Sequence, residues 1–327
     1  MTITRDKPVA HPATAEPKRQ HILDLDDFSV AELELFLNTT DAMAEVLRRP
    51  VRRVPTLRGK TVVTAFFEAS TRTRSSFELA SKVLSADVIN LGSDSSSKKG
   101  ESLIDTARTL EAMGADVLIM RHPSSGAPNL VARHTTFHVV NAGDGWHAHP
   151  SQGLLDLYTM RQRFGGIAGL KVTIVGDILH SRVARSNLYT LTKMGAKVVL
   201  CAPPTLLPLD TLGAFDDCPG LSLDGNVDSA CSGADVVMAL RLQRERQTSG
   251  LLPSLGEYAR RYQINEARLA LAKPGAMVMH PGPMNEGVEI SPAVAHGAQS
   301  AVEQQVTNGV AVRMAILYLL CSGGEPA

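Results

Sequence analysis

The sequence predicts an α/β fold of two doubly wound parallel-sheet domains joined by helices, with an active site in the cleft between them. Three observations lead there. Short apolar, β-branched runs alternate with stretches of helical periodicity, the pattern of a parallel sheet covered by helices on both faces. The alternation occurs twice, and 327 residues suffice for two separate cores. Arginine, histidine and hydroxyl residues gather where the apolar runs end, at the sheet edge where such folds bind ligands.

Composition narrows the classes. An apolar content of 44% with 20% charged residues is that of an ordinary soluble globular protein. The 33 basic residues balance 33 acidic ones, so no overall field recruits nucleic acid or a membrane. Anion binding must come from local clusters. Cys201, Cys218, Cys231 and Cys321 are scattered without metal-ligand spacing, which suits a reducing cytoplasm; no metal and no cofactor are expected. Met1 to Gln20 lacks the apolar core of a signal peptide, so the expected location is cytoplasmic. The apolar stretch Val310 to Leu320 is short and interrupted by Arg313, a core helix rather than a membrane span.

Residues 1–20 read as a flexible arm, either a disordered tail or a docking segment. A helix is expected from Val30 to Leu47, and Arg58-Gly59-Lys60 turns the chain into the strand Thr61 to Phe67. A helix follows on the spacing of Phe77, Ala80 and Val83/Leu84. Between them lies Ser70-Thr71-Arg72-Thr73-Arg74, hydroxyls and free N–H groups at a strand-to-helix turn. Cations at the positive end of a helix usually cost stability. The stretch is therefore either a Ser/Thr cap with two solvated arginines or an anion site built from guanidiniums and backbone N–H groups.

The strand Asp87 to Leu91 runs into the polar loop Gly92 to Gly100, whose Lys98 and Lys99 make it a solvated loop or a lid carrying cations to an anion. A helix from Ser102 to Met113, a strand from Asp116 to Met120 ending at Arg121-His122-Pro123, a helix from Asn129 to His134 and a strand from Phe137 to Val140 complete the first series. The segment Asn141 to Gln152 follows, with Pro150 suited to a first helical position. His149 then stands at the helix entrance, as a cap or as a catalytic group, and Gln152 in the first turn.

The second half repeats the pattern. The strand Lys171 to Asp177 precedes a helix from about Ser181 to Met194. A dinucleotide fingerprint would need glycines where the chain has Ile178 and Ser181, which argues against a nucleotide oxidoreductase. Arg182 occupies the turn instead. Strands Lys197 to Leu200 and Asp235 to Leu240 follow, the latter ending at Arg241-Leu242-Gln243. In an extended chain Arg241 and Gln243 point the same way, a fork for a carboxylate or the start of a charged surface stretch through Arg244, Glu245 and Arg246. The strand Ala276 to Met279 enters His280-Pro281-Gly282-Pro283, where two missing donors leave carbonyls in excess: a strand terminator, or acceptors for an amide NH₂. Val302 to Leu320 returns as a long helix. The expected division is an arm at 1–20, a first domain at 21–150 completed by 302–327, and a second at 151–301.

Five stretches in this order resemble the aspartate-specific catalytic chains of the carbamoyltransferase family, a likeness running from about Ile22 to Leu320. They are Phe67-Glu68-Ala69-Ser70-Thr71-Arg72-Thr73-Arg74, Lys98-Lys99-Gly100-Glu101, Met120-Arg121-His122-Pro123, His149-Pro150-Ser151-Gln152 and His280-Pro281-Gly282-Pro283. The resemblance implies transfer of the carbamoyl group of carbamoyl phosphate to the α-amine of L-aspartate, a step of pyrimidine biosynthesis. It implies a phosphate held by Ser70, Thr71, Arg72 and Thr73, a carbamoyl oxygen facing Arg121, His149 and Thr73, and a carbamoyl NH₂ facing Gln152 and the turn Pro281, Gly282, Pro283, with a cis peptide before Pro283. Arg182, Arg241, Gln243 and Lys99 would hold the carboxylates of aspartate. Ser95 and Lys99 would reach in from a neighbouring subunit of a homotrimer with shared sites. The arm resembles that of members assembling with a dihydroorotase-like or regulatory chain, which leaves a larger complex open. The ornithine branch typically carries His-Cys-Leu-Pro where this chain has His280-Pro281-Gly282-Pro283, and it lacks the Lys-Lys-Gly loop and the Arg-x-Gln fork. A non-catalytic scaffold is the remaining alternative, opposed by the presence of every implied ligand-contacting side chain. Glu286 departs from the arginine that many relatives carry there and would add a negative charge near an anion site.

Overall fold

A computed structural model of the chain describes residues 19–92, 102–207, 218–243, 251–252 and 254–321. After helix α1 (Val30–Arg48) come β1 (Thr61–Phe66), α2 (Thr71–Val83), β2 (Asp87–Leu91), α3 (Leu103–Ala112), β3 (Val117–His122), α4 (Ala127–Ala132) and β4 (His138–Asp144). The four strands form one parallel sheet in the order β2-β1-β3-β4. Helix α5 (Pro150–Phe164) leads to β5 (Lys171–Val175), α6 (Arg182–Lys193), β6 (Lys197–Cys201), β7 (Leu221–Asp224), the short helix α7 (Val227–Cys231) and β8 (Val236–Ala239). Then come α8 (Leu255–Tyr262), α9 (Glu266–Leu269), β9 (Met277–Met279), α10 (Pro292–Ala295) and α11 (Val302–Cys321). The second sheet is also parallel, in the order β7-β6-β5-β8-β9. Both are doubly wound.

The central strands are buried on both faces, which is why they read as unbroken apolar runs. On β1, Val62 and Phe66 join the large core beneath α1, α2 and α11, while Val63 and Ala65 pack with Ala107, Leu110 and Val131 on the opposite face. Helix α11 is buried along most of its length because it packs against α1, α2 and α5, tying the last described residues back to the helices of the first domain.

Two sequence expectations are corrected. Strand β4 does not stop at Val140 but runs to Asp144, because β3 shifts register between Met120 and His122 and pairs His122 with Asp144. Strand β7 had no sequence signal: four half-exposed residues at a sheet edge carry too little apolar pattern. Of the expected arm, residues 1–18 lie outside the described residues. Arg19 is anchored by Glu32 at 2.7 Å and Asp27 at 2.8 Å, and its guanidinium lies 3.8 Å from the Phe28 ring centroid.

In each sheet the strand order reverses once, between β1 and β3 in the first and between β5 and β8 in the second. Crevices for ligands open beyond the carboxyl ends of strands at such points. The turn at Ser70, the turn at Arg182 and the Arg241–Gln243 stretch follow three of these strands, and Arg121 stands near the end of the fourth, β3.

Candidate active site

The four strand ends face one cleft of about 910 Å³. It is lined from the first sheet by Ser70, Thr71, Arg72, Thr73 and Arg121, and from the entrance of α5 by His149 and Gln152. Arg182, Arg241, Gln243, Pro281, Gly282 and Pro283 line it from the second sheet. Every sequence-expected site residue that the structure describes is thus in one place. Ser95 and Lys99, with the Lys98–Gly100 loop, lie outside the described residues.

Helix α2 begins at Thr71 with Ser70 extended at its N-cap, yet the Ser70 side chain makes no capping hydrogen bond. Ser70, Thr71, Arg72 and Thr73 all line the cleft, where the first-turn N–H groups lack intrahelical partners. The two arginines separate. Both are exposed, but Arg72 lines the cleft, whereas Arg74 acts on Glu78, one turn along the same helix. Burial, and then the neighbouring Arg241 cation, holds the Arg72 guanidinium below its ordinary value. Two cations from different domains therefore approach one another, an arrangement that an anion between them relieves.

Glycine makes room for two of these arginines. Gly282 has φ +67°, and a Cβ there would stand 2.8 Å from the Arg72 guanidinium carbon. Gly143 has φ +117°, and its Cβ would stand 2.9 Å from that of Arg182. The Gly282–Pro283 peptide is cis. Across the turn, the Gly282 N–H donates to His280 Nδ1 at 2.8 Å, so His280 carries its proton on Nε2, 3.3 Å from buried Glu289.

The segment before α5 is built on the buried Asp144 carboxylate, which accepts from Gly126 N (2.6 Å), Asn141 Nδ2 (2.8 Å) and Ala148 N (3.1 Å). His147 lies between Asp144 and Asp24, at 3.0 and 3.1 Å, and the two carboxylates raise it to about 10. The next residue but one, His149, is the buried N-cap of α5, and its N–H donates to Ser186 Oγ at 2.9 Å. Pro150 takes the first helical position as the sequence predicts.

Glu68, quoted within a motif but given no role by the sequence, holds the two halves together. Its carboxylate accepts from Arg121 Nη2 at 2.6 Å in the first domain and from Arg182 Nη2 at 2.7 Å in the second. Burial works to raise its carboxyl, but Arg182 and Arg121 outweigh that and bring it down to about 2. Sequence reasoning also passed over Arg313, noted only as a break in an apolar helix. It is fully buried, lines the cleft floor, donates to Gly309 O at 3.0 Å, and is pushed down to about 10 by burial. A lone charge in an apolar helix was the available signal.

On the second side, Arg241 Nη2 donates to Gln243 Oε1 at 3.2 Å, so the two side chains lie together, and Asp177 Oδ2 accepts the Gln243 backbone N–H at 3.2 Å. Trp146 borders the cleft and meets His180 edge-on at 4.6 Å between ring centroids. Glu286 is not among the residues lining the cleft: it is exposed and meets His296 at 3.0 Å. Among the described residues no group of three or more His, Cys, Asp or Glu could hold a metal ion, and no helix is long and apolar enough to cross a membrane.

Comparison with known proteins agrees with this geometry. Residues 20–162 match the family description "Aspartate/ornithine carbamoyltransferase, carbamoyl-P binding domain", and residues 168–320 match "Aspartate/ornithine carbamoyltransferase, Asp/Orn binding domain". An aspartate carbamoyltransferase catalytic subunit of Dehalococcoides mccartyi (strain CBDB1) is 58% identical over 309 residues, covering 94% of this chain and 93% of the relative. That of Roseiflexus sp. (strain RS-1) is 61% identical over 304 residues, covering 93% and 95%. Among solved structures, aspartate transcarbamoylase from Trypanosoma cruzi in complex with N-(phosphonacetyl)-L-aspartic acid superposes with a TM-score of 0.85 at 32% identity, over 94% of this chain and 98% of that one. With two family domains in order, a shared fold and a cleft that gathers the expected side chains, the chain belongs to the aspartate/ornithine carbamoyltransferase family.

Proposed function

We propose that the cleft transfers the carbamoyl group of carbamoyl phosphate to the α-amine of L-aspartate, giving N-carbamoyl-L-aspartate and phosphate, a step of pyrimidine biosynthesis. The observation that carries this reading is the convergence of Arg72 and Arg121 from one domain with Arg182 and Arg241 from the other on a single cleft. Four guanidiniums suit one phosphate and two carboxylates. The catalytic subunits named above support aspartate over ornithine as acceptor, as does the Trypanosoma cruzi enzyme, crystallised with carbamoyl phosphate and aspartate.

In this reading the first turn of α2, with Ser70, Thr71, Arg72 and Thr73, cradles the phosphate. Arg121, His149 and Thr73 face the carbamoyl oxygen. Gln152 and the carbonyls around Pro281, Gly282 and Pro283 face the carbamoyl NH₂. Arg182, Arg241 and Gln243 take the carboxylates of aspartate, with Ser95 and Lys99 added from a neighbouring copy of a cytoplasmic homotrimer. The domains divide the labour at 21–150 with 302–327 and at 151–301. The amine attacks the carbamoyl carbon, the C–N bond forms, the C–O bond to phosphate breaks, and the departing phosphate takes the amine proton. Charge builds on the carbamoyl oxygen and the leaving group, where fixed donors stabilise it most. Bringing two anions together is the other task, and the Glu68 bridge holds Arg121 and Arg182 for it.

The test is an initial-rate assay of phosphate and N-carbamoyl-L-aspartate formation, with L-ornithine in parallel. Turnover with aspartate at least about 10²-fold above ornithine is expected, since unpaired charged groups reject the wrong amino acid. Turnover with ornithine instead, or with neither even when dihydroorotase-like or regulatory partners are added, contradicts it. Mixing Lys99→Ala with Arg72→Ala protein should restore activity if sites are shared. Mixed trimers without rescue exclude sharing.

A further inference from the structure

Asp156 lies on α5 one turn beyond Gln152 and is completely buried. Its Oδ1 accepts from Gln152 Nε2 at 3.0 Å and from Gln305 Nε2 at 2.7 Å; its Oδ2 accepts from Asn187 Nδ2 at 2.8 Å. Gln305, near the start of α11, in turn accepts the His280 backbone N–H at 3.0 Å on its own carbonyl oxygen. One carboxylate thus joins four segments of the chain, two of which border the acyl end of the cleft.

The chemistry of that join has a direction. An ionised carboxylate accepts hydrogen bonds and donates none, so each amide must turn its NH₂ toward Asp156. Gln152 lines the cleft and is 6% exposed. With its NH₂ engaged below, the group left to face the cleft is its carbonyl oxygen. Gln305 obeys the same constraint, and its carbonyl fixes the backbone that leads into Pro281 and Gly282. Burial pushes the Asp156 carboxyl up to about 6, against the three amide donors and the Arg313 cation, which favour the ionised acceptor.

We propose that Asp156 is a positioning residue that sets the polarity of the acyl pocket: by holding Gln152 with its carbonyl toward the cleft, it selects an acyl phosphate whose acyl group bears N–H donors over one that ends in a methyl group. The inference rests on the reading of the cleft as a carbamoyl phosphate site. Without Asp156 the Gln152 amide is free to turn over and present N–H to N–H, and the preference for an amide falls.

Phosphonoacetamide and acetonylphosphonate are stable isosteres that differ only in NH₂ against CH₃ at the acyl end. Their affinities are measured by calorimetry on the full chain in its native assembly, for the wild type, Asp156→Asn, Gln152→Met and the double variant. The wild type should prefer the amide by roughly 10–100-fold, the worth of hydrogen bonds a methyl group cannot make. Asp156→Asn should cut that preference about tenfold while leaving acetonylphosphonate affinity within about threefold. Gln152→Met should lose it equally, and adding Asp156→Asn to Gln152→Met should change the ratio no further, because both act through one amide. Asp156→Ser, smaller and able to donate or accept, carries the same expectation if the asparagine variant is not recovered folded. Equal weakening of both ligands in the Asp156 variants, a wild type without amide preference, or an unchanged preference in Gln152→Met overturns the inference. A wild type that binds neither isostere overturns the proposed function as well.

Discussion

A methyl group at Gly282 would occupy the space of the Arg72 guanidinium, which lies across the cleft from its own helix. The turn is therefore a receptor for an arginine of the other domain. Gly282→Ala should lower turnover by about tenfold to a hundredfold by displacing that guanidinium, and a melting curve close to wild type would separate this from unfolding. Arg72→Ala should cost about 10²-fold or more in turnover, as loss of a transition-state donor does; near-normal rates would remove Arg72 from the phosphate site. Glu68 acts at the same scale through two arginines rather than on substrate. Glu68→Gln keeps the shape and removes the charge, and an aspartate KM raised roughly tenfold is expected. The arginines were legible in the sequence because cations at strand ends and helix starts have few structural uses. The supporting carboxylates were not: Glu68 and Asp156 serve through contacts between segments that only the folded chain brings together.

At the scale of elements, the segment from Asn141 to His149 shows how local chemistry places a side chain on the cleft. The Asp144 carboxylate gathers three N–H groups, and His147 ties it to Asp24 in the chain before α1. The folded pKa of His147, about 10, lies above its ordinary 6.5, so its contribution to stability is complete below pH 6.5 and is lost as the pH rises toward 10. His147→Gln should lower the melting temperature at pH 6 and flatten its decline between pH 6.5 and 10, as read by thermal melts across that range. A decline identical to wild type would show that the latch contributes nothing. The long elements with strong apolar periodicity were readable to within a few residues at each end, as α1, β1, α6 and α11 show. Strand β4 was underestimated because Asn141, Gly143 and Asp144 look like loop residues, and only pairing with β3 keeps them extended.

At the scale of the whole molecule, both sheets place their reversal points on one cleft, and a ligand that fills it touches both domains. The chain has one tryptophan, Trp146, bordering that cleft against His180 of the second domain, so its emission should shift when both halves are occupied. An unchanged spectrum on saturation would place the movement, or the ligand, elsewhere. A solution mass of three times 35.0 kDa is expected for the trimer with shared sites, and a monomer active on its own would contradict it. The most direct measurement of the central claim is a titration with N-(phosphonacetyl)-L-aspartic acid, one molecule that carries both the phosphonate and the dicarboxylate. Binding to the wild type that weakens at least about 30-fold in Arg72→Ala and again in Arg241→Ala is the expected result, each variant leaving one charged end unpaired. Affinity unchanged by either substitution would show that the cations of the two domains do not serve one ligand.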